Sequence, residues 1–176
     1  DVVALGSRDV AAVHVAVAGL AGTAGDAETF RRCCAVLSAS LRHYQSHTYT
    51  CAPTFALALR SLLLHVLGAD ADAEGCEVAR AEKVYVLARF MEGLPAHRDV
   101  FKKAAMGLLV DFASSLGTST SPSLKRSMLP IAFALLDTCT ENETRQLNVF
   151  LDPTSKSLFS TVFQTYQNKH QYKGKY

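Results

Sequence analysis

His43 and His47 stand four residues apart in "HYQSH". At that spacing two imidazoles can share one helix face and both ligate a metal. The glutamate that would act as base in a metalloprotease motif is missing, and no third ligand lies near in sequence, so polar residues at a helix end account for the pair. Cys33-Cys34 is the second pair with latent chemistry. Vicinal thiols can cycle with a disulfide, but these fall on an apolar helical stripe, where packed cysteines behave as small hydrophobes. The five cysteines, Cys33, Cys34, Cys51, Cys76 and Cys139, form an odd set with no C-x-x-C spacing. That argues against a disulfide framework or a zinc knuckle and suits a reducing compartment. No phosphate-cradling G-x-x-x-x-G-K-[ST] and no dinucleotide fingerprint occur. Asn142-Glu143-Thr144 satisfies the N-glycosylation pattern but reads as a chance occurrence on a helix. With no titratable cluster to supply acid, base or nucleophile, the expectation is a protein that is not an enzyme and takes no cofactor, metal or small-molecule substrate.

Function is then left to surfaces, and charge says where to look. Net charge is only +2, yet Lys169, Lys173 and Lys175 place three positive charges in the closing residues with no acid among them. Interleaved with His170, Tyr172 and Tyr176, they form a basic tail over 169–176. Aromatic rings among lysines can stack on bases and neutralise phosphates. The same composition also suits a frayed end. Three basic doublets, Arg31-Arg32, Lys102-Lys103 and Lys125-Arg126, sit on separate elements. Aligned, they would make a stripe for phosphates; scattered, they are ordinary surface charge. Glu77, Arg80, Glu82 and Lys83 fall at helical neighbour spacings and read as a solvated, salt-bridged face.

The elements that must position these residues are helical from end to end, since no stretch alternates as a half-buried strand does. Length and a 49 % apolar composition fit one globular domain, 1–176, read as a piece of a longer protein. The run from Val10 to Gly25 is free of formal charge but too short to span a bilayer, so a core helix is expected there, about 8–20, stopped by glycines. Further helices are expected at about 27–45 from an Asp26 cap, from Pro53 to Gly68, at 77–92, and at 98–116. The polar stretch "GTSTSPS", 117–123, reads as an internal linker. Beyond it, a sixth helix should kink or split at Leu129 because of Pro130. A seventh begins at the Thr140-x-x-Glu143 capping box, and an eighth follows Asp152-Pro153. On that last helix Leu158, Phe159, Val162, Phe163 and Tyr166 form one apolar stripe, expected to be structural core. About eight helices with short connections imply an all-α fold of irregular antiparallel hairpins, an α-solenoid of HEAT or armadillo type.

The residues from Ala134 to Tyr176 resemble the C-terminal end of the Urb/Npa-type nucleolar pre-rRNA-processing proteins, the unhealthy-ribosome-biogenesis family. The resemblance rests on Leu135-Leu136-Asp137, Cys139, Glu141 and Glu143, Leu147-Asn148 and Leu151-Asp152. Leu158-Phe159, Tyr166 and the basic tail continue it. Leu87-Ala88-Arg89 and Phe101-Lys102-Lys103 carry it back to Val84, and the first 80 residues are compatible with it. Position 163 departs from the pattern, with Phe where Tyr is expected. The resemblance implies a nucleolar, non-enzymatic scaffold factor of early large-subunit (pre-60S) assembly and pre-rRNA processing, with this chain as its C-terminal domain. It also implies work beside a second helical-repeat factor and a DEAD-box RNA helicase, with pre-rRNA as a further contact and no membrane. Two rival expectations stand beside it: direct RNA binding through the basic tail, and a helical protein–protein adaptor unconnected with ribosomes.

Overall fold

The computed structural model describes residues 5–23, 26–68, 76–118 and 122–173. Every element among them is helical. Ten α-helices occur: α1 (Ser7–Thr23), α2 (Ala27–His43), α3 (Gln45–Thr50), α4 (Ala52–Gly68), α5 (Cys76–Met91), α6 (Arg98–Thr118), α7 (Pro122–Ser127), α8 (Leu129–Thr138), α9 (Glu141–Phe150) and α10 (Pro153–Lys173). A short 3-10 helix, Leu94–His97, joins α5 to α6.

Two breaks raise the expected eight helices to ten. The first falls at Tyr44, whose backbone leaves helical geometry at φ −127° and ψ 37°. No glycine or proline announces it: the Ser40 carbonyl accepts from Tyr44 N at 3.0 Å and also from the Thr48 hydroxyl at 3.1 Å, which ties α3 back to α2. The second falls at Met128, one residue before the expected split. Proline in a helix interior clashes with the carbonyl four residues back, but in a first turn it costs nothing. Breaking at Met128 puts Pro130 in the first turn of α8. The expected caps form as the sequence dictates. Asp26 accepts from Thr29 N at 2.7 Å, Asp152 accepts from Thr154 N at 2.9 Å, and Thr140 and Glu143 close a reciprocal capping box.

The helices stack in two rows. α1 packs chiefly on α4, α4 on α6, and α6 on both α9 and α10; beside them α2 packs on α5 and α5 on α8. Contacts of α1 with α2, α4 with α5 and α6 with α8 tie the rows into successive hairpins. One continuous core runs between them, with Phe30, Leu37, Phe55, Leu63, Leu87, Phe101, Leu109 and Ile131 fully enclosed. Phe55 lies 4.9 Å from Phe101 and 6.3 Å from Phe90, ring centre to ring centre, and thus joins α4, α5 and α6.

Two expectations about individual helices need correction. α1 is not a core helix on all sides. Val10, His14, Val17 and Ala21 are buried, while Val15 and Leu20 are each about half exposed, because α2, α3 and α4 pack on other faces of α1. It also runs through Gly19 and Gly22 to Thr23, since tertiary packing on α4 outweighs the weak helix propensity of glycine. The charged face of α5 is not simply solvated either. Arg80 donates from Nε to the Val66 carbonyl at 3.0 Å and from Nη2 to that of Leu67 at 3.1 Å, capping the C-terminus of α4. Lys83 is buried with its Nζ 3.1 Å from His65 Nε2, and Glu82 pairs with Arg31 of α2. These side chains tie α5 to its neighbours.

Candidate functional site

The chemistry latent in the sequence is dispersed by the fold. The break at Tyr44 leaves His43 exposed at the end of α2, while His47, in α3, lies with Nδ1 2.9 Å from the Ser7 hydroxyl. No group of three or more His, Cys, Asp or Glu side chains that could hold a metal occurs among the described residues. Cys33 and Cys34 are both buried, and burial, followed by the neighbouring Cys33, pushes the Cys34 thiol up to about 12. Such a thiol is protonated at neutral pH and is a poor nucleophile.

The basic doublets are separated as well. Arg31 and Arg32 are bound into an acidic network, Arg31 to Glu28 and Glu82, and Arg32 to Glu28 at 2.8 Å. Lys102 is half-buried and Lys103 exposed on α6, and Lys125 and Arg126 lie on α7; neither helix is among the main neighbours of α2. At the C-terminus α10 continues as helix through the first half of the basic tail, to Lys173. Lys169 projects its ammonium over the Phe133 ring, 5.0 Å from its centre, a cation–π contact with α8. His170, Tyr172 and Lys173 belong to the helix by their backbone, and Lys175 and Tyr176 lie outside the described residues. Of the linker stretch 117–123, residues 117 and 118 end α6 and Pro122 begins α7, while 119–121 lie outside the described residues.

The aromatic stripe of α10 divides. Phe159 and Val162 are buried, whereas Leu158, Phe163 and Tyr166 pack on the core with part of their surface open. Phe159, Phe163 and Tyr166 form one wall of a cleft of about 550 Å³. The cleft exists because α9 and α10 both lie on α6 yet make little contact with one another. Phe159, Phe163 and Tyr166 follow each other at helical spacing with near-parallel rings, 6.0 and 6.2 Å apart. Opposite them stand Thr140, Glu141, Thr144 and Arg145 from the first turns of α9, and the end is closed by Arg98.

Each polar group here is held differently. The Tyr166 hydroxyl donates to Asp137 Oδ1 at 2.6 Å, and burial, followed by this bond, raises its phenol well above the ordinary range. Arg145 pairs with Glu141 at 3.1 Å. Arg98 donates from Nη2 to the Cys139 carbonyl at 2.7 Å, which fixes its guanidinium in the cleft without neutralising it. Cys139 is buried behind this wall, its thiol pushed up to about 12, by burial first. Sequence reasoning found the stripe and the capping box but missed the cleft, because Arg98 is 41 residues distant from Cys139 along the chain. Its signal was present only as a polar-aromatic mixture on α10 that pure core would not carry.

The described residues thus form a two-row helical stack with a mixed polar and aromatic cleft between α9 and α10. The model of the Urb2/Npa2 family matches residues 8–175, nearly the whole chain, and the chain belongs to that family, one of ribosome-biogenesis factors of the nucleus not known for catalysis. The match takes in residues 8–80, for which the sequence offered compatibility alone. Among curated proteins and among solved structures nothing matches the chain. No helix among the described residues is long and apolar enough to cross a membrane.

Proposed function

We propose that this chain is a helical scaffold module of early large-subunit precursors in the nucleolus, holding assembly proteins together during pre-rRNA processing and catalysing nothing itself. Membership of the Urb2/Npa2 family over residues 8–175 is the observation that carries this reading. The surface supports it: α1 presents Val15 and Leu20, and α9 ends in exposed Val149 and Phe150, apolar groups of the kind that partners cover. A second helical-repeat factor and a DEAD-box RNA helicase are the proposed partners. Pre-rRNA contact through the basic tail is secondary, since Lys169 is already engaged on Phe133.

Purification of the tagged protein from nuclear extract tests the reading. Co-purification of large-subunit precursor rRNA with assembly proteins is the expected result, and absence of that rRNA leaves a helical adaptor outside ribosome assembly. Truncation after Asn168 separates the tail's role. If its lysines bind RNA, the salt dependence of RNA affinity flattens by about two units in log–log slope. If truncation leaves RNA association unchanged and releases a protein partner, direct RNA binding is excluded.

A further inference from the structure

The cleft between α9 and α10 is a concave feature of the described residues that the family assignment leaves without a role. We infer that it is a docking slot for a short peptide segment of a protein partner, one in which a large apolar side chain neighbours a carboxylate. The inference rests on the reading of the chain as a docking module and names what the module holds.

Charge fixes the class of occupant. Arg145 is already paired with Glu141, and Asp137 lies behind Tyr166, so a polyanion entering here meets carboxylates as well as cations. Arg98 has no carboxylate partner among the described residues and keeps donors beyond the one given to the Cys139 carbonyl. One unneutralised, pre-oriented guanidinium beside apolar surface calls for a single carboxylate, and the planar fork suits it geometrically. The apolar counterpart is the open part of Phe163 and Tyr166, rings already ordered by their stack with Phe159, so little side-chain freedom is lost on binding. A volume of about 550 Å³ suits a few side chains rather than a whole helix. Thr144 and Gln167 line the same space and can bond a peptide backbone. Single-stranded RNA would also stack on the rings, but among the described residues lining the cleft its chain of phosphates finds only Arg98 without a carboxylate partner, where it needs several cations.

The test is to select binders to the intact chain from a random dodecapeptide phage library and measure the selected peptides by fluorescence anisotropy. An enriched motif joining Phe, Leu or Trp to an adjacent Asp or Glu is expected. Ser160→Trp, at an exposed cleft-lining position of α10, should fill the slot and weaken binding by about tenfold or more. Arg98→Gln should weaken acidic peptides while sparing versions with the acid changed to its amide, and thermal melts of both variants report folding. No enrichment, a motif without the acid, binding unaffected by Ser160→Trp, or displacement of the peptide by decauridylate would each overturn the inference. If these fail while precursor rRNA still co-purifies with the protein, the cleft assignment falls and the scaffold reading stands. If co-purification fails, the scaffold reading falls whatever the peptides do.

Discussion

The hydroxyl of Tyr166 donates to Oδ1 of Asp137 at 2.6 Å, tying the last helix to α8 across the back of the cleft. Tyr166→Phe keeps the ring against Phe133 and Phe163 and removes the hydroxyl that makes this bond. Hydrogen bonds to charged groups contribute more than neutral ones, so a loss of about 1–2 kcal/mol is expected in urea unfolding. An alkaline signature accompanies it. Because the folded phenol titrates above its ordinary value of 10, its contribution is full below that pH and is lost as pH rises through the folded value. Tyr166→Phe should abolish that share of the alkaline loss, and an unchanged profile would assign the bond no energetic role.

At the other end of the stack, His14 is buried in the α1–α4 contact with Nδ1 3.2 Å from the Thr54 hydroxyl and 3.8 Å from Cys51 Sγ. Its Nε2 is buried with no hydrogen-bond partner among the described residues. Burial holds the pKa below the ordinary 6.5, so the unfolded chain binds a proton more readily than the folded one. Stability is therefore retained above about pH 6.5 and falls as the solution is acidified below it. His97, lowered by burial as well and bonded to the Tyr49 hydroxyl, adds to the same slope. His14→Leu should flatten the decline in melting temperature between neutral and mildly acidic pH, leaving the His97 share. A slope identical to that of the parent chain would remove His14 as its source.

Much of this architecture could be read from local rules. Asp26, Thr140 with Glu143, and Asp152 mark helix starts because capping is decided within one turn. The short helix α3 was hidden because the Thr48 to Ser40 bond that ties it to α2 depends on a side-chain rotamer rather than on residue type. Arg80 and Lys83 look like surface charge at helical spacing, and only the docking of α5 beside the end of α4 turns them inward. The cleft lay beyond sequence reasoning for the same reason. Its walls belong to α6, α8, α9 and α10, and the gap follows from where those helices seat, not from any residue in it.

Two arginines that look alike in sequence should behave differently. Arg60 of α4 makes a bidentate pair with Asp111 of α6, at 2.6 and 3.0 Å, but its side chain is about half exposed. Water screens such a pair, and Arg60→Met should cost no more than about 1 kcal/mol, less at high salt. Arg80 instead satisfies two carbonyls at the end of α4 in a partly buried setting, and Arg80→Met removes both bonds. A cost of about 1–3 kcal/mol, insensitive to salt, is expected there. Denaturant unfolding of both variants at low and high ionic strength checks the contrast, and equal costs would contradict it.

Phe159 is the aromatic of α10 that the core holds most firmly, with 5 % of its surface exposed. Phe159→Ala removes a buried ring, a change that costs about 3–5 kcal/mol in well-packed interiors. Part of that cost is the cavity left behind, and here the void would open onto the existing cleft, where water can enter. The expected loss is therefore at the lower end, about 3 kcal/mol, measured from the shift in urea midpoint at constant slope. Phe163→Ala, on the more open neighbour, should cost less in stability yet more in peptide affinity, because that ring offers its free surface to the cleft. If both variants lose stability equally and bind peptide like the parent, the two rings are core alike and the wall of the cleft is not a recognition surface.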